Sequence, residues 1–259
     1  MDPGLRHEGA AERRAWILST LQDVAFVSIT DLARELRVSP MTIRRDLHLL
    51  EATGDVRLVH GGASLTPGAL RGPVFRDDEQ TAPRDRVGTH AAALIGATDT
   101  VAIDAGPTGY AIARALPREF GGCVITHSMA VLQLLAERPS VRVVALGGEL
   151  LADRHAFVGP TTEAAVAQLR VRTFFLSPAA VDARGTYAGS PAEASVQRGL
   201  MNIADQVVLV STQEVFSSSA PARVAPLDRM RAWVADRWPP ADVADALSRA
   251  GVLAHVAGN

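Results

Sequence analysis

From Arg84 onward the sequence keeps to one rhythm: a short apolar run, a turn of small or polar residues, then a segment with helical apolar spacing. Strands alternating with helices in this way mark an α/β domain with a mostly parallel sheet. A helix is expected over Arg86–Ile95, a strand over Thr100–Asp104, and a turn at Ala105–Gly109 leading into a helix through Leu116. Cys123–Thr126 reads as the second strand, with His127 and Ser128 opening a helix that carries Val131, Leu132 and Leu135. The third strand, Val141–Leu146, ends in Gly147, Gly148 and Glu149. Further helices are expected at Thr162–Leu169, Pro191–Ala204 and Asp242–Ala250, and further strands at Thr173–Leu176, Gln206–Ser211, Arg231–Ala235 and Val252–Val256. Phe216–Ala222, F-S-S-S-A-P-A, reads as a mobile loop near the strand edge.

Ligands of open α/β sheets sit outside the carboxyl ends of the strands, where helix N-termini offer free N–H groups to an anion. Asp104 with Gly106 and Thr108, the trio Thr126, His127 and Ser128, and the trio Gly147, Gly148 and Glu149 all fall at such ends. Together they suggest a polar pocket for a small, oxygen-rich or anionic ligand. The plainer alternatives are that the glycines only make turns, that Asp104 caps the adjoining helix, and that His127, with no paired acid in view, is structural. Asp182 and Glu193 read as polar groups of a loop and a helix start that can hydrogen-bond ligand hydroxyls.

The N-terminal part is organised around Ser39–Leu50, S-P-M-T-I-R-R-D-L-H-L-L. Ser39 is a good N-cap, Pro40 suits the first helical position, and Ile43, Leu47 and Leu50 form an inward stripe. Met41, Arg44, Arg45 and His48 are left facing outward. Ahead of this helix, Ser28–Asp31 starts another that carries Leu32, Ala33 and Leu36, and Arg37-Val38 makes the tight turn between the two. A first helix at Glu12–Leu21, a stop at Gly54 and a strand with a glycine turn over Val56–Gly62 complete a winged helix-turn-helix. Paired arginines alone are more often a solvated helix face. The full set of elements around them favours DNA, with contacts expected from Ser39, Met41, Thr42, Arg44 and Arg45, and from Arg57 or His60 of the wing.

Charge must act locally, because Glu12–His60 carries seven arginines against seven acids and the whole chain has a formal net charge of -2. Arg34, Arg37, Arg44 and Arg45 form the local patch, and a dimer or tetramer setting several such heads on one double-stranded operator would supply the affinity. All 26 basic side chains are arginine. Without lysine there is no Schiff-base chemistry, no pyridoxal phosphate anchor and no Walker motif. The single cysteine, Cys123, makes neither an internal disulfide nor a cysteine-cluster metal site and is expected in the core. No cofactor or metal is expected. No run is apolar enough to span a membrane and the first ten residues lack an apolar signal core, so a cytoplasmic protein is expected.

The stretch S-P-M-T-I-R-R-D-L-H-L-L-E-A-T-G, followed by V-R-L-V-H-G-G-A, resembles the DeoR-type bacterial repressors. V-A-I-D-A-G-P-T, A-L-G-G-E-L, A-F-V-G-P and the pair Glu193-Ala194 are similar to the C-terminal sensor domain of that family. The resemblance implies a fold shared with ribose-phosphate isomerase, glucosamine-phosphate deaminase and coenzyme A transferases. It also implies a phosphorylated sugar or related effector that switches DNA binding. The expected organisation is a disordered leader over 1–11, a winged helix over 12–63, a linker over 64–83 and a sensor over 84–259. Several positions depart from the family pattern: Ala179-Ala180 stands for an aspartate-glycine pair, Pro107-Thr108 for two threonines, His127 for an asparagine, Gln197 for a lysine, and Thr212-Gln213-Glu214 for serine-serine-lysine. A phosphate would thereby lose two cationic partners and meet an acid. The readings that follow are a ligand-switched regulator, a sugar-phosphate isomerase or deaminase, and a regulator whose sensor only oligomerises.

Overall fold

In a computed structural model of the chain, residues 9–24, 26–52, 56–59, 61–65 and 81–257 are described. The expectations for most of the leader, for Gly54, for His60 and for 66–80 of the linker lie outside the described residues. The chain forms two compact units, Met1–Arg71 and Gly72–Asn259.

The first unit runs α1 (Ala10–Asp23), β1 (Val27–Ser28), α2 (Ile29–Glu35), α3 (Pro40–Ala52), β2 (Val56–Val59) and β3 (Gly62–Leu65). Its three strands pair antiparallel in the order β1-β3-β2. Ile17 and Leu21 of α1, Leu32 of α2 and Ile43, Leu47 and Leu50 of α3 bury against Val27, Val56 and Ala63 of the sheet. Ser28 caps α2 by accepting the amide of Asp31. The turn after α2 closes in the left-handed conformation at Arg37, φ 53°, with the Val38 amide donating 3.1 Å back to the Ala33 carbonyl. Gly62 is required by close approach, since a Cβ there would lie 2.0 Å from the Val27 carbonyl oxygen.

The second unit is built on a seven-stranded sheet in which every pairing is parallel. Its strands, in sheet order, are β15 (Leu253–Val256), β14 (Ala232–Ala235), β12 (Ala204–Ser211), β9 (Val171–Leu176), β4 (Thr100–Ile103), β5 (Cys123–Thr126) and β6 (Arg142–Ala145). Alternate residues serve opposite faces: Val101, Ile103, Val124, Phe175, Val208 and Val210 pack under α4 (Thr81–Ala92), α5 (Pro107–Ala115) and α6 (Met129–Ala136). Ala102, Ile125, Phe174, Leu176, Leu209 and Trp233 pack under α7 (Pro160–Val166), α8 (Pro191–Ile203) and α9 (Ala241–Arg249). With both faces covered, the strands are apolar almost throughout, which is why short apolar runs marked them in the sequence.

Two features were not expected. A hairpin forms from β7 (Glu149–Leu151) and β8 (Ala156–Val158), and a small antiparallel sheet from β10 (Ala180–Asp182), β11 (Gly185–Ala188) and β13 (Ala222–Ala225). The stretch Phe216–Ala222 is therefore not all loop: Phe216 ends a 3-10 turn over Gln213–Phe216, and Ala222 opens β13 because it pairs with Ala188. The expected linker also begins and ends in regular structure, with β3 running to Leu65 and α4 starting at Thr81. Cys123 is half-buried, and burial pushes its thiol up while Arg142 pulls the other way, which fits a core residue rather than a nucleophile.

Candidate functional site

On the first unit, α3 presents Met41, Arg44, Arg45 and His48 to solvent, with Thr42 half-buried. The helix starts where the sequence placed it, for the Ser39 hydroxyl accepts the Thr42 amide at 3.1 Å and lies 2.9 Å from the Thr42 hydroxyl. Ser39 is thus engaged as a cap. Arg57 is exposed on β2. Neither Arg44 nor Arg45 has an acidic partner among the described residues. Arg34 does, pairing with Asp31. Beside α3 a depression of about 710 Å³ is lined by Arg13 and Arg14 of α1 together with Met41, Arg44, Arg45 and His48. Unpaired guanidiniums near a helix N-terminus suit bidentate contacts to guanine or phosphate oxygens.

Sequence reasoning missed Asp46. It is buried on the inner side of α3, with its carboxylate 2.6 Å from Arg13 Nε and 3.5 Å from Arg14 Nη1. Its position was a signal, since Asp46 is three residues past Ile43 and four before Leu50 and so falls on the apolar stripe.

On the second unit, Asp104 directly follows β4, is fully buried, and does not cap α5. One carboxylate oxygen accepts the Ala105 amide at 2.9 Å, and the other accepts the Ser177 amide at 2.9 Å and Gln197 Nε2 at 2.8 Å. His127 does have a paired acid: its Nε2 lies 2.9 Å from Asp104 Oδ1, and its Nδ1 lies 3.0 Å from the Phe157 carbonyl oxygen. The parallel register that sets Ile103 beside Thr126 brings the next residues of the two strands together. Each ring nitrogen thus faces an oxygen, and the Ala105 amide also approaches Nε2 at 3.3 Å. Thr126 donates to the Ile103 carbonyl and accepts the Ser128 amide, while Ser128 caps α6. Thr108 is buried in the first turn of α5. Gly106 leads into that turn at φ 107° with open space where a side chain would be.

The other expected residues divide. Glu193 is buried near the start of α8 and is tied to Arg154 Nε at 3.0 Å. Gly147, Gly148 and Glu149 lie exposed at the foot of the hairpin, where the Gly147 carbonyl accepts the Thr162 hydroxyl and a side chain on Gly148 would collide with it. They make no hydrogen bond to Asp104 or His127 among the described residues. Asp182 is held in its turn by Arg184 and Tyr187; burial pushes its carboxyl up, but hydrogen bonds from those two outweigh this and leave it lower than usual. The acid expected to repel a phosphate, Glu214, is neutralised by Arg84 at 2.9 Å. Arg154 and Asp236 were not foreseen, and Gln197, which stands for a lysine of the family pattern, is spent on Asp104. Asp236 follows W-V-A as Asp104 follows V-A-I, at the end of a strand, and its buried Oδ1 has no partner among the described residues. Among the described residues no group of three or more His, Cys, Asp or Glu is placed to hold a metal ion, and no helix is long and apolar enough to cross a membrane.

Two family models match the chain: a DeoR-like helix-turn-helix domain over residues 13–67 and a DeoR C terminal sensor domain over residues 79–237. A putative aga operon transcriptional repressor of Escherichia coli O157:H7 is 29% identical, over 98% of this chain and 96% of the relative. A glycerol-3-phosphate regulon repressor of Escherichia coli K12 is 27% identical, over 92% and 95%. Among solved structures, ribose 5-phosphate isomerase A from Neisseria gonorrhoeae superposes with a TM-score of 0.39 at 14% identity, over 53% of this chain and 54% of the isomerase.

Proposed function

The chain belongs to the DeoR family of helix-turn-helix regulators, and from that premise we propose how its parts act. It is a DNA-binding transcriptional regulator of the repressor type with a small-molecule sensor domain, and not an enzyme. In our reading, residues 12–63 read the operator, 64–83 connect, and 84–259 sense the effector and oligomerise. Thr42, Arg44 and Arg45 make the main DNA contacts, with Ser39 and Met41 at the helix start and Arg57 from the wing. The observation that carries this is the pair of unopposed guanidiniums on an exposed helix face. Two or more heads on one operator, in the cytoplasm, supply the affinity that one near-neutral head lacks.

The effector is a phosphorylated sugar or a related metabolite, bound at the carboxyl ends of β4 and β5. The neutralised Glu214 and the kinship with a glycerol-3-phosphate regulon repressor support that class. A second reading, a sensor that only oligomerises, is favoured by Asp104, whose accepting positions are already taken by protein donors. The test is fluorescence anisotropy of the full chain on DNA around its own gene, across a salt series and with phosphosugars added. We expect sequence-selective binding that falls with salt and is released by one of the phosphosugars. Binding with no sequence preference overturns the DNA reading; selective binding untouched by any metabolite leaves the oligomeriser.

A further inference from the structure

The β7–β8 hairpin is tied to the rest of the second unit along β8 and at its turn, where the His155 carbonyl accepts the Met129 amide at 2.9 Å. His127 brackets Phe157, accepting its amide at 2.8 Å through the His127 carbonyl and facing its carbonyl oxygen through Nδ1. At the hairpin turn, Arg154 donates from Nε to Glu193 of α8. Glu193 stands one helical turn before Gln197, which donates to Asp104, which faces His127. These contacts close a ring through the hairpin, the start of α8 and the strand ends.

Within this ring almost everything is sealed. Asp104, His127 and Gln197 are each at most 5% exposed, and the Asp104 carboxylate is saturated. Glu193 also accepts the Ser190 hydroxyl, at 3.2 Å. Arg154 is different. Its side chain is 36% exposed, and it spends only Nε on Glu193, so the terminal Nη pair has no partner among the described residues. A guanidinium has five donors in a planar fork matched to carboxylate and phosphate oxygens.

We propose that Arg154 is the anion-binding residue of the effector site, taking a phosphate or carboxylate group of the ligand on its Nη fork. Glu193 holds the fork in place and competes with the ligand for the same positive charge. The inference rests on the reading of these strand ends as the effector site, and it supplies a cation that the family-pattern positions of this chain lack. A ligand anion on the fork weakens the tie between the hairpin and α8, because two anions then share one guanidinium.

The test uses the full chain and follows its melting midpoint with inorganic phosphate, ribose 5-phosphate, ribose and citrate, at ionic strength matched with chloride. We expect saturable stabilisation of the wild type by at least one of the anions. Removing a charge-assisted contact in Arg154→Ala should weaken it by about ten- to a hundredfold. Arg154→Lys should recover part of the affinity, and Glu193→Gln should bind the anion more tightly than the wild type, a gain that mere loss of structure does not produce. Melting of the variants without ligand verifies that each is folded. If Arg154→Ala and Glu193→Gln respond as the wild type does, the assignment of Arg154 is wrong while the effector site stands; if no anion stabilises the wild type, both fall.

Discussion

Asp46 of α3 accepts a 2.6 Å hydrogen bond from Arg13 Nε of α1, and the two side chains are only 5% and 11% exposed. An acid on the core side of a DNA-reading helix is thereby paired, and the first helix is fixed against the third. The same bond removes Arg13 from the count of free positive charges.

Asp46→Ala leaves a nearly buried guanidinium without its counter-charge. We expect a loss of about 3 kcal/mol in the stability of the first unit. Denaturant unfolding followed through Trp16 on α1 measures it; a loss under about 0.5 kcal/mol, the scatter typical of surface substitutions, would show that the pair contributes nothing.

Arg37→Gly should move stability and function in opposite directions. The left-handed turn costs a non-glycine residue about 1 kcal/mol, so glycine should raise the melting temperature of the first unit. DNA affinity should fall if the lost guanidinium touches phosphate. An unchanged melting temperature counts against strain at this turn.

Arg44→Ala and Arg45→Ala should separate reading from anchoring. Losing a guanine contact costs about 1–3 kcal/mol on the preferred site and flattens the preference at one base pair, whereas losing a phosphate contact weakens all sequences and lowers the salt slope by about one. Anisotropy titrations on the preferred site and on scrambled DNA distinguish the two. Equal binding by both variants and the wild type would remove α3 from the interface.

His127→Leu removes both ring contacts, with Asp104 Oδ1 and with the Phe157 carbonyl, in a closed environment. A loss of about 3 kcal/mol in the second unit is expected, with His127→Asn, which keeps one donor, losing less. Thermal unfolding of the two variants gives the order, and a reversed order would mean that the ring acts through packing and not through its hydrogen bonds.

The helix-turn-helix was legible because its signals are local. Ser39 caps, Ile43, Leu47 and Leu50 face inward, and each fact lies within a dozen residues of the next. The parallel strands were legible for a related reason, since burial on both faces leaves a continuous apolar run. What escaped was non-local. Ala222–Ala225 pairs with a strand more than thirty residues earlier, and neither segment is long enough to show a pattern by itself. His127 looked acid-free because its acid lies 23 positions back, on a strand whose neighbour is known only once the sheet order is known. Asp46 was visible in spacing, but a charged side chain on an apolar stripe has meaning only when Arg13 is seen across from it.

The order of the parallel sheet also sets a timetable for synthesis. Strand β4 lies between β5 and β9, and the β9 side of that join, Ser177 on Asp104, spans 73 residues of chain. The DNA-reading head needs nothing beyond Leu65 for its own sheet. Domains fold as they emerge from the ribosome and long-range parallel pairing is slow, so each growing chain has a finished DNA reader well before the strand that completes its sensor has been made.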